Sequence, residues 1–93
     1  MAAAVKSWQI EIARTAERQI LKLGSQAQKS IQRFLRERLA AASDPRQWGR
    51  ALQGDKRGLW RYRVGDYRLI CDIQDERITV LVLEVGDRKD VYR

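Results

Sequence analysis

Apolar and polar residues alternate along two stretches of the chain, which is the pattern of half-buried β-strands. The first stretch predicts a strand over residues 5–12, and the second covers residues 59–71. A third stretch, residues 78–85, is nearly continuous in apolar residues. Such a run is typical of a strand buried on both faces, so we expect it to lie centrally in a sheet.

Between the first and second strands the apolar residues change to helical spacing. They recur every three or four positions over residues 16–23 and predict a short helix, with Gly24 as a left-handed cap. Residues 26–42 carry one apolar stripe and predict a longer helix. Ser25 and Gln28 have the spacing of a capping box at its start.

The predicted elements follow the order β-α-α-β-β-β within a single domain, residues 1–93. Asp44-Pro45 stops the second helix, and residues 46–57 have no period, so they predict an irregular loop. We therefore expect an α+β fold with an antiparallel-dominated sheet and two helices on one face.

The second alternating stretch contains Gly65-Asp66, which is a signal for a two-residue hairpin turn. Counting outward from this turn pairs Val64 with Tyr67, Arg63 with Arg68 and Arg61 with Ile70. Because side chains alternate between the two faces of a strand, all three arginines share one face. The helices should cover the other face, which carries Trp60, Tyr62, Tyr67 and Leu69.

Like charges placed directly opposite each other destabilise a sheet by roughly 0.2–1 kcal/mol per pair. The arginine cluster is therefore best explained by a polyanionic partner, although a solvated outer face is the simpler alternative. The net charge of +7, from 19 basic and 12 acidic residues, also favours RNA, DNA or a strongly acidic protein as the partner.

The chain contains no histidine and one cysteine, Cys71, which alternates onto the apolar face of the hairpin. This composition argues against zinc sites and catalytic triads, and no glycine-rich phosphate loop is present, so we expect no metal and no cofactor. Guanidinium groups suit a phosphodiester, since they bind and neutralise phosphate oxygens, but they cannot act as ordinary bases.

No apolar run approaches the ~20 residues that a bilayer span requires. The single Cys71 has no partner for a disulfide and is expected to be a core residue in a reducing compartment. These features predict a cytoplasmic protein without a membrane partner.

Four segments together closely resemble the RelE/ParE superfamily of bacterial type II toxins, on the RelE side. They are Leu52-Gln53-Gly54, residues 59–63, residues 65–68 and residues 85–93. The resemblance implies a compact microbial-ribonuclease-like fold and an mRNA interferase that enters the ribosomal A site and cuts the message there. It also implies three kinds of partner: a cognate RelB-like antitoxin, the 70S ribosome with its mRNA, and operator DNA bound through the antitoxin.

The resemblance also assigns catalytic residues by position. Arg61 and Arg63 match two basic residues on one family strand, Arg68 matches the arginine on the next strand, Arg88 matches the arginine after the last strand, and Tyr92 matches the near-terminal tyrosine. The resemblance implies that these groups bind the phosphate, stabilise charge and align a ribose 2′-hydroxyl.

Three further basic residues, Lys56, Arg57 and Lys89, are expected to contact RNA or the ribosome. Tyr92 is the first candidate for the base that activates the hydroxyl, with Lys56 and Lys89 as weaker candidates.

Two positions depart from the family pattern. Arg61 and Arg63 stand where the best-studied members have lysines, and Asp87 stands where many relatives have histidine. Two alternative functions are therefore kept. One is a ParE-like inhibitor of DNA gyrase without nuclease activity, and the other is a catalytically weak relative that mainly binds its antitoxin.

Overall fold

Residues 7–87, the part of the chain that the computed structural model describes, form five strands and two main helices. The strands are β1 (Gln9–Ile12), β2 (Arg50–Ala51), β3 (Trp60–Val64), β4 (Tyr67–Gln74) and β5 (Thr79–Asp87). The helices are α1 (Arg14–Leu21) and α2 (Ser25–Phe34), and α2 continues as a π-helical turn over Leu35–Leu39. Short 3₁₀ turns lie at Pro45–Trp48, Gly54–Lys56 and Asp75–Arg77.

The strands form one sheet in the order β1-β5-β4-β3-β2. β1 pairs with β5 in parallel, and all other neighbours are antiparallel. The expected antiparallel-dominated α+β fold is therefore confirmed. β5 is an interior strand, as predicted, although β4 occupies the centre of the sheet.

The core lies between the helices and one face of the sheet. Ile20, Ile31 and Leu39 from the helical segments pack in one buried cluster with Tyr62 and Leu69. Trp60, Tyr67 and the strand valines complete this cluster, which confirms which face of the hairpin the helices cover. Cys71 is fully buried there, and burial raises the pKa of its thiol to about 12.

The ends of the first three elements differ from the prediction. β1 begins at Gln9, and residues 5 and 6 lie outside the described part of the chain. α1 ends at Leu21, and Gly24 has an extended backbone, φ −66° and ψ 161°, because it is the N-cap of α2 instead of a left-handed cap. The predicted capping box is wrong, since Ser25 is already helical and Gln28 donates its side-chain amide to the Leu23 carbonyl at 2.8 Å.

The segment predicted as an irregular loop, residues 46–57, contains the edge strand β2. Arg50 pairs with Arg61 and Ala51 with Trp60. A two-residue strand is too short to produce an alternating pattern, so its pairing partner decides its conformation. The buried Tyr62 hydroxyl donates a hydrogen bond to the Pro45 carbonyl at 3.0 Å and ties the start of this segment to the core.

The second face of β5 is less buried than predicted, since Thr79 is fully buried there but Leu81 is half-buried and Glu84 is exposed. A β-bulge also divides this strand. Cys71 pairs with Val82, but Ile70 pairs with Glu84, so Leu83 is the extra residue. The bulge shifts the alternation by one residue, and Val82 and Val85 both face the core as a result. This shift accounts for part of the apolar run that is continuous in sequence.

Gly49 provides a test of the packing around Tyr62. A Cβ at this position would lie 2.8 Å from Tyr62 Cε1 and 3.1 Å from the Arg61 carbonyl oxygen. Because Tyr62 is fully buried and cannot swing away, we expect Gly49→Ala to lower the free energy of unfolding by about 1–3 kcal/mol. Chemical denaturation measures this change.

Gly24→Ser is the matched control, since its Cβ meets nothing within 4 Å and serine is a favourable N-cap residue. We expect its stability to equal or exceed that of the wild type. Equal unfolding midpoints for Gly49→Ala and the wild type would contradict the close approach to Tyr62.

Candidate functional site

The face of the sheet opposite the helices carries the predicted arginines, and we call it the arginine face. The pairing register of β3 and β4 is as predicted, with Arg63 opposite Arg68 and Arg61 opposite Ile70. Gly65, at φ 58°, forms the turn that sets this register.

Two rows of side chains cross this face perpendicular to the strands. One row runs Arg50, Arg61, Ile70 and Glu84, and the other runs Arg63, Arg68 and Gly86. Each row therefore contains one pair of arginines that lie directly opposite each other. Such pairs cost roughly 0.2–1 kcal/mol each, and an anion bound between the rows would relieve this repulsion.

The arginines differ in depth. Arg50 and Arg63 are exposed, Arg61 is half-buried, and Arg68 is only 4% exposed. The sequence predicted that Arg68 shares one face with Arg61 and Arg63, and the structure adds that Arg68 lies below the surface of that face. An anion on this face would meet Arg61 and Arg63 first, with the charge of Arg68 beneath them.

The loop between β2 and β3 brings Lys56 to the same face. Gly54 and Gly58 have φ values of 66° and 97°, which allow the chain to turn sharply on either side of Lys56. The Lys56 ammonium nitrogen lies 3.4 Å from a carboxylate oxygen of Glu84. Arg57, the neighbouring predicted contact residue, is exposed on this loop.

Sequence reasoning missed Arg50 and Glu84 as members of the arginine face. Arg50 joins it only through β2, which has no pattern of its own. Glu84 is a charged residue inside an apolar run, and such an exception in a predicted buried strand is a signal that could have identified it.

Three predicted site residues, Arg88, Lys89 and Tyr92, lie outside the described residues. Asp87, the last described residue, pairs with Tyr67. Because Tyr67 belongs to the face that the helices cover, the register places Asp87 on that face and not beside Arg63.

The reactive groups within residues 7–87 restrict the chemistry. No group of three potential metal-ligating residues lies together in this part of the chain. The Cys71 thiol is buried, and its raised pKa disfavours the reactive thiolate. Burial likewise raises the pKa of Tyr62, whose hydroxyl is engaged with Pro45. The arginine face therefore offers guanidinium, ammonium and carboxylate groups.

A membrane span is not found among the described helices, since none of them is both long enough and apolar enough to cross a bilayer.

Residues 10–92 match the sequence model of a family described as the ParE toxin of the type II toxin–antitoxin system parDE. Toxin RelG from Mycobacterium tuberculosis is 40% identical over 50 residues, which are 54% of this chain and 58% of that protein. The chain thus spans 58% of the length of the curated relative that it matches.

The fold is similar to those of solved toxins and their complexes. A chain of the toxin–antitoxin complex RelBE2 from Mycobacterium tuberculosis superposes with a TM-score of 0.82 at 28% identity, over 94% of this chain and 98% of that one. The isolated RelE toxin of E. coli gives a TM-score of 0.68 at 24% identity, over 92% of each chain, and supports the fold alone.

The family model extends over nearly the whole sequence. In this chain, the five-stranded sheet with its two covering helices carries the arginine face. The chain therefore belongs to the ParE toxin family, within the RelE/ParE superfamily, and is a toxin of a type II toxin–antitoxin system.

Proposed function

We propose that this toxin is a ribosome-dependent endoribonuclease that cleaves mRNA in the ribosomal A site and so inhibits translation. The observation that carries the proposal is the arginine face, where Arg61, Arg63 and Arg68 occupy adjacent positions of two paired strands. Guanidinium groups donate paired hydrogen bonds to phosphate oxygens, and they stabilise the negative charge that accumulates on a phosphate under attack.

In the proposed reaction, a ribose 2′-hydroxyl attacks the adjacent phosphate and the 5′-oxygen of the next nucleotide leaves. Arg61 and Arg63, on the outer part of the face, hold the phosphate oxygens, and Arg68 adds its charge from below. Arg88 and Tyr92, which lie outside the described residues, are proposed to stabilise the leaving group and to align the nucleophile. The products are a 2′,3′-cyclic or 3′-phosphate end and a 5′-hydroxyl end.

Dependence on the ribosome follows from the small number of groups that the toxin offers. Alignment of a flexible RNA strand for in-line attack is a large part of the barrier, and we propose that ordered mRNA and ribosomal RNA supply much of this positioning. Lys56 and Arg57 on the exposed loop, together with Lys89, are the proposed contacts to RNA or the ribosome.

A second candidate function is inhibition of DNA gyrase without nuclease activity. It is favoured by the family description itself, which names ParE toxins. In that case the arginine face would be a protein-docking or solvated surface. Gyrase supercoiling would be inhibited by the purified toxin, and no new transcript 5′ ends would appear after induction. A catalytically weak relative would show neither effect and would still bind its antitoxin.

The relatives also suggest the partner. The RelBE2 and Pyrococcus horikoshii structures are complexes of a toxin with its antitoxin. We propose that this chain likewise binds a cognate RelB-like antitoxin in the cytoplasm, and that the pair contacts operator DNA through the antitoxin. The net charge of +7 favours an acidic antitoxin segment that folds on docking.

The role of Arg61 can be tested directly. Arg61→Gln should lower the single-turnover rate of mRNA cleavage on programmed ribosomes by ~10²–10³, as expected when one donor to a developing oxyanion is lost. Arg36→Gln is the matched control, because Arg36 is an exposed residue of the helical layer and its loss changes the net charge equally. Equal rates for Arg61→Gln and the control would contradict the assignment.

A second experiment tests the identity of the nucleophile and the dependence on the ribosome. A message with 2′-deoxyribose at the cut site should not be cleaved, because the attacking oxygen is missing. The unmodified message should be cut on ribosomes and hardly at all when free in solution. Gel analysis of end-labelled message measures both. Cleavage of the deoxy substrate would exclude the mechanism, and similar rates on free and bound RNA would refute the ribosome dependence.

The antitoxin is tested by co-expression with the neighbouring open reading frame. We expect its product to co-purify with the toxin and to relieve growth arrest, because it covers the basic surface. A neighbouring product that neither co-purifies nor restores growth would remove the support for this partner.

Raising the salt concentration should weaken ribosome docking of the free toxin through counterion release.

A further inference from the structure

Glu84 is a carboxylate on the arginine face, and it reaches this face only because β5 is bulged. Val80 and Val82 face the core, so regular alternation would also turn residue 84 toward the core, opposite Leu69. The extra residue, Leu83, instead places Glu84 opposite Ile70 on the arginine face, where its side chain is 50% exposed. Bulges are known to redirect side chains in this way next to active sites.

The position of Glu84 relative to the arginines suits a bound phosphate. Glu84 lies two strands from Arg61, and since neighbouring strands are about 4.8 Å apart, the separation across the sheet is roughly 10 Å. The residue between them, Ile70, is buried and has no polar group to compete for an anion. Gly86, opposite Arg68, adds no side chain beside Glu84. A ribose that adjoins a phosphate held by the arginines can therefore reach this carboxylate across a part of the face that carries no competing polar side chain.

The contact with Lys56 does not commit Glu84 to a structural role. The two side chains are 52% and 50% exposed and lie 3.4 Å apart. An exposed pair of this kind contributes little to stability. An RNA phosphate can therefore replace the carboxylate as the partner of Lys56, which leaves Glu84 available to the ribose.

The other carboxylates on this face are farther from the arginines or already engaged. Asp72 pairs with Leu81 in a row without arginine and accepts a hydrogen bond from Gln74 at 3.1 Å. Glu11 binds Arg77 at 2.8 Å at the far edge of the sheet. Glu84 is the described carboxylate that shares a row with Arg61.

We propose that Glu84 is the proton acceptor for the attacking 2′-hydroxyl, an inference that rests on the proposed ribonuclease function. The carboxylate takes the hydroxyl proton as the bond between the 2′-oxygen and phosphorus forms and the bond between phosphorus and the 5′-oxygen breaks. The departing 5′-oxygen takes a proton from water, and the protonated Glu84 returns its proton to solvent. Within residues 7–87 the role falls to Glu84, because neither a guanidinium nor a lysine ammonium on the arginine face can accept this proton.

The experiment measures cleavage on programmed ribosomes under single-turnover conditions, with toxin concentration varied to separate the rate constant from the half-saturating concentration. Glu84→Gln keeps the size of the side chain and removes its basicity. We expect its rate constant to fall by ~10²–10⁴, the usual contribution of a general base. The half-saturating concentration should stay equal or decrease, since a negative charge is lost. Glu84→Asp should retain part of the rate.

Asp72→Asn is the matched control, because it removes the same charge from the same face, and its rate should equal that of the wild type. Thermal unfolding confirms that each variant is folded, and Glu84→Asp provides the measurement if Glu84→Gln does not fold. Formate should partly restore cleavage by Glu84→Ala, a rescue that a purely structural role would not give.

The outcomes separate this inference from the proposed function. A wild-type rate for Glu84→Gln, combined with tighter ribosome binding, would mean that Glu84 is only the counter-ion of Lys56, and the inference would be overturned while the nuclease function stands. An equal loss of cleavage rate in Asp72→Asn would also overturn the inference, since the lower rate would then result from the change in surface charge. If the wild-type toxin does not cleave ribosome-bound mRNA, the proposed function itself fails.

Discussion

The pairing register of β3, β4 and β5 is the constraint on which the rest of this structure depends. Side chains alternate between the two faces of a strand, so a slip of one residue would exchange the arginines with the aromatic core residues. Burial of Tyr62 and Leu69 against the helices makes such a slip costly. The same hydrophobic contacts that stabilise the fold therefore keep the arginines on the outer face.

Within the described pairs of β3, β4 and β5, the alternation changes at the bulge in β5, and this bulge has two effects. It allows Val82 and Val85 to face the same core, although residues three positions apart face opposite sides of a regular strand. It also turns Glu84 outward into the row that contains Arg61. Packing on one face and charge placement on the other thus have a common cause.

The long segment between the helices and β3 is organised from the core as well. Gly49 lies close against the Tyr62 ring, and the Tyr62 hydroxyl donates a hydrogen bond to the Pro45 carbonyl. These contacts hold the chain beside β3, so that Arg50 can pair with Arg61. The loop that follows then carries Lys56 to Glu84. Residues with no sequence pattern acquire a defined place because a buried tyrosine anchors the segment.

The sequence by itself determined the features that depend on local periodicity. The turn at Gly65-Asp66, the register of Arg63 with Arg68, and the face that the helices cover follow from alternation over a few residues. The tertiary structure alone decided the edge strand β2, the depth of Arg68 and the orientation of Glu84. These depend on contacts between residues far apart in the chain, and no local pattern records where a neighbouring strand will pair or where a bulge will interrupt it.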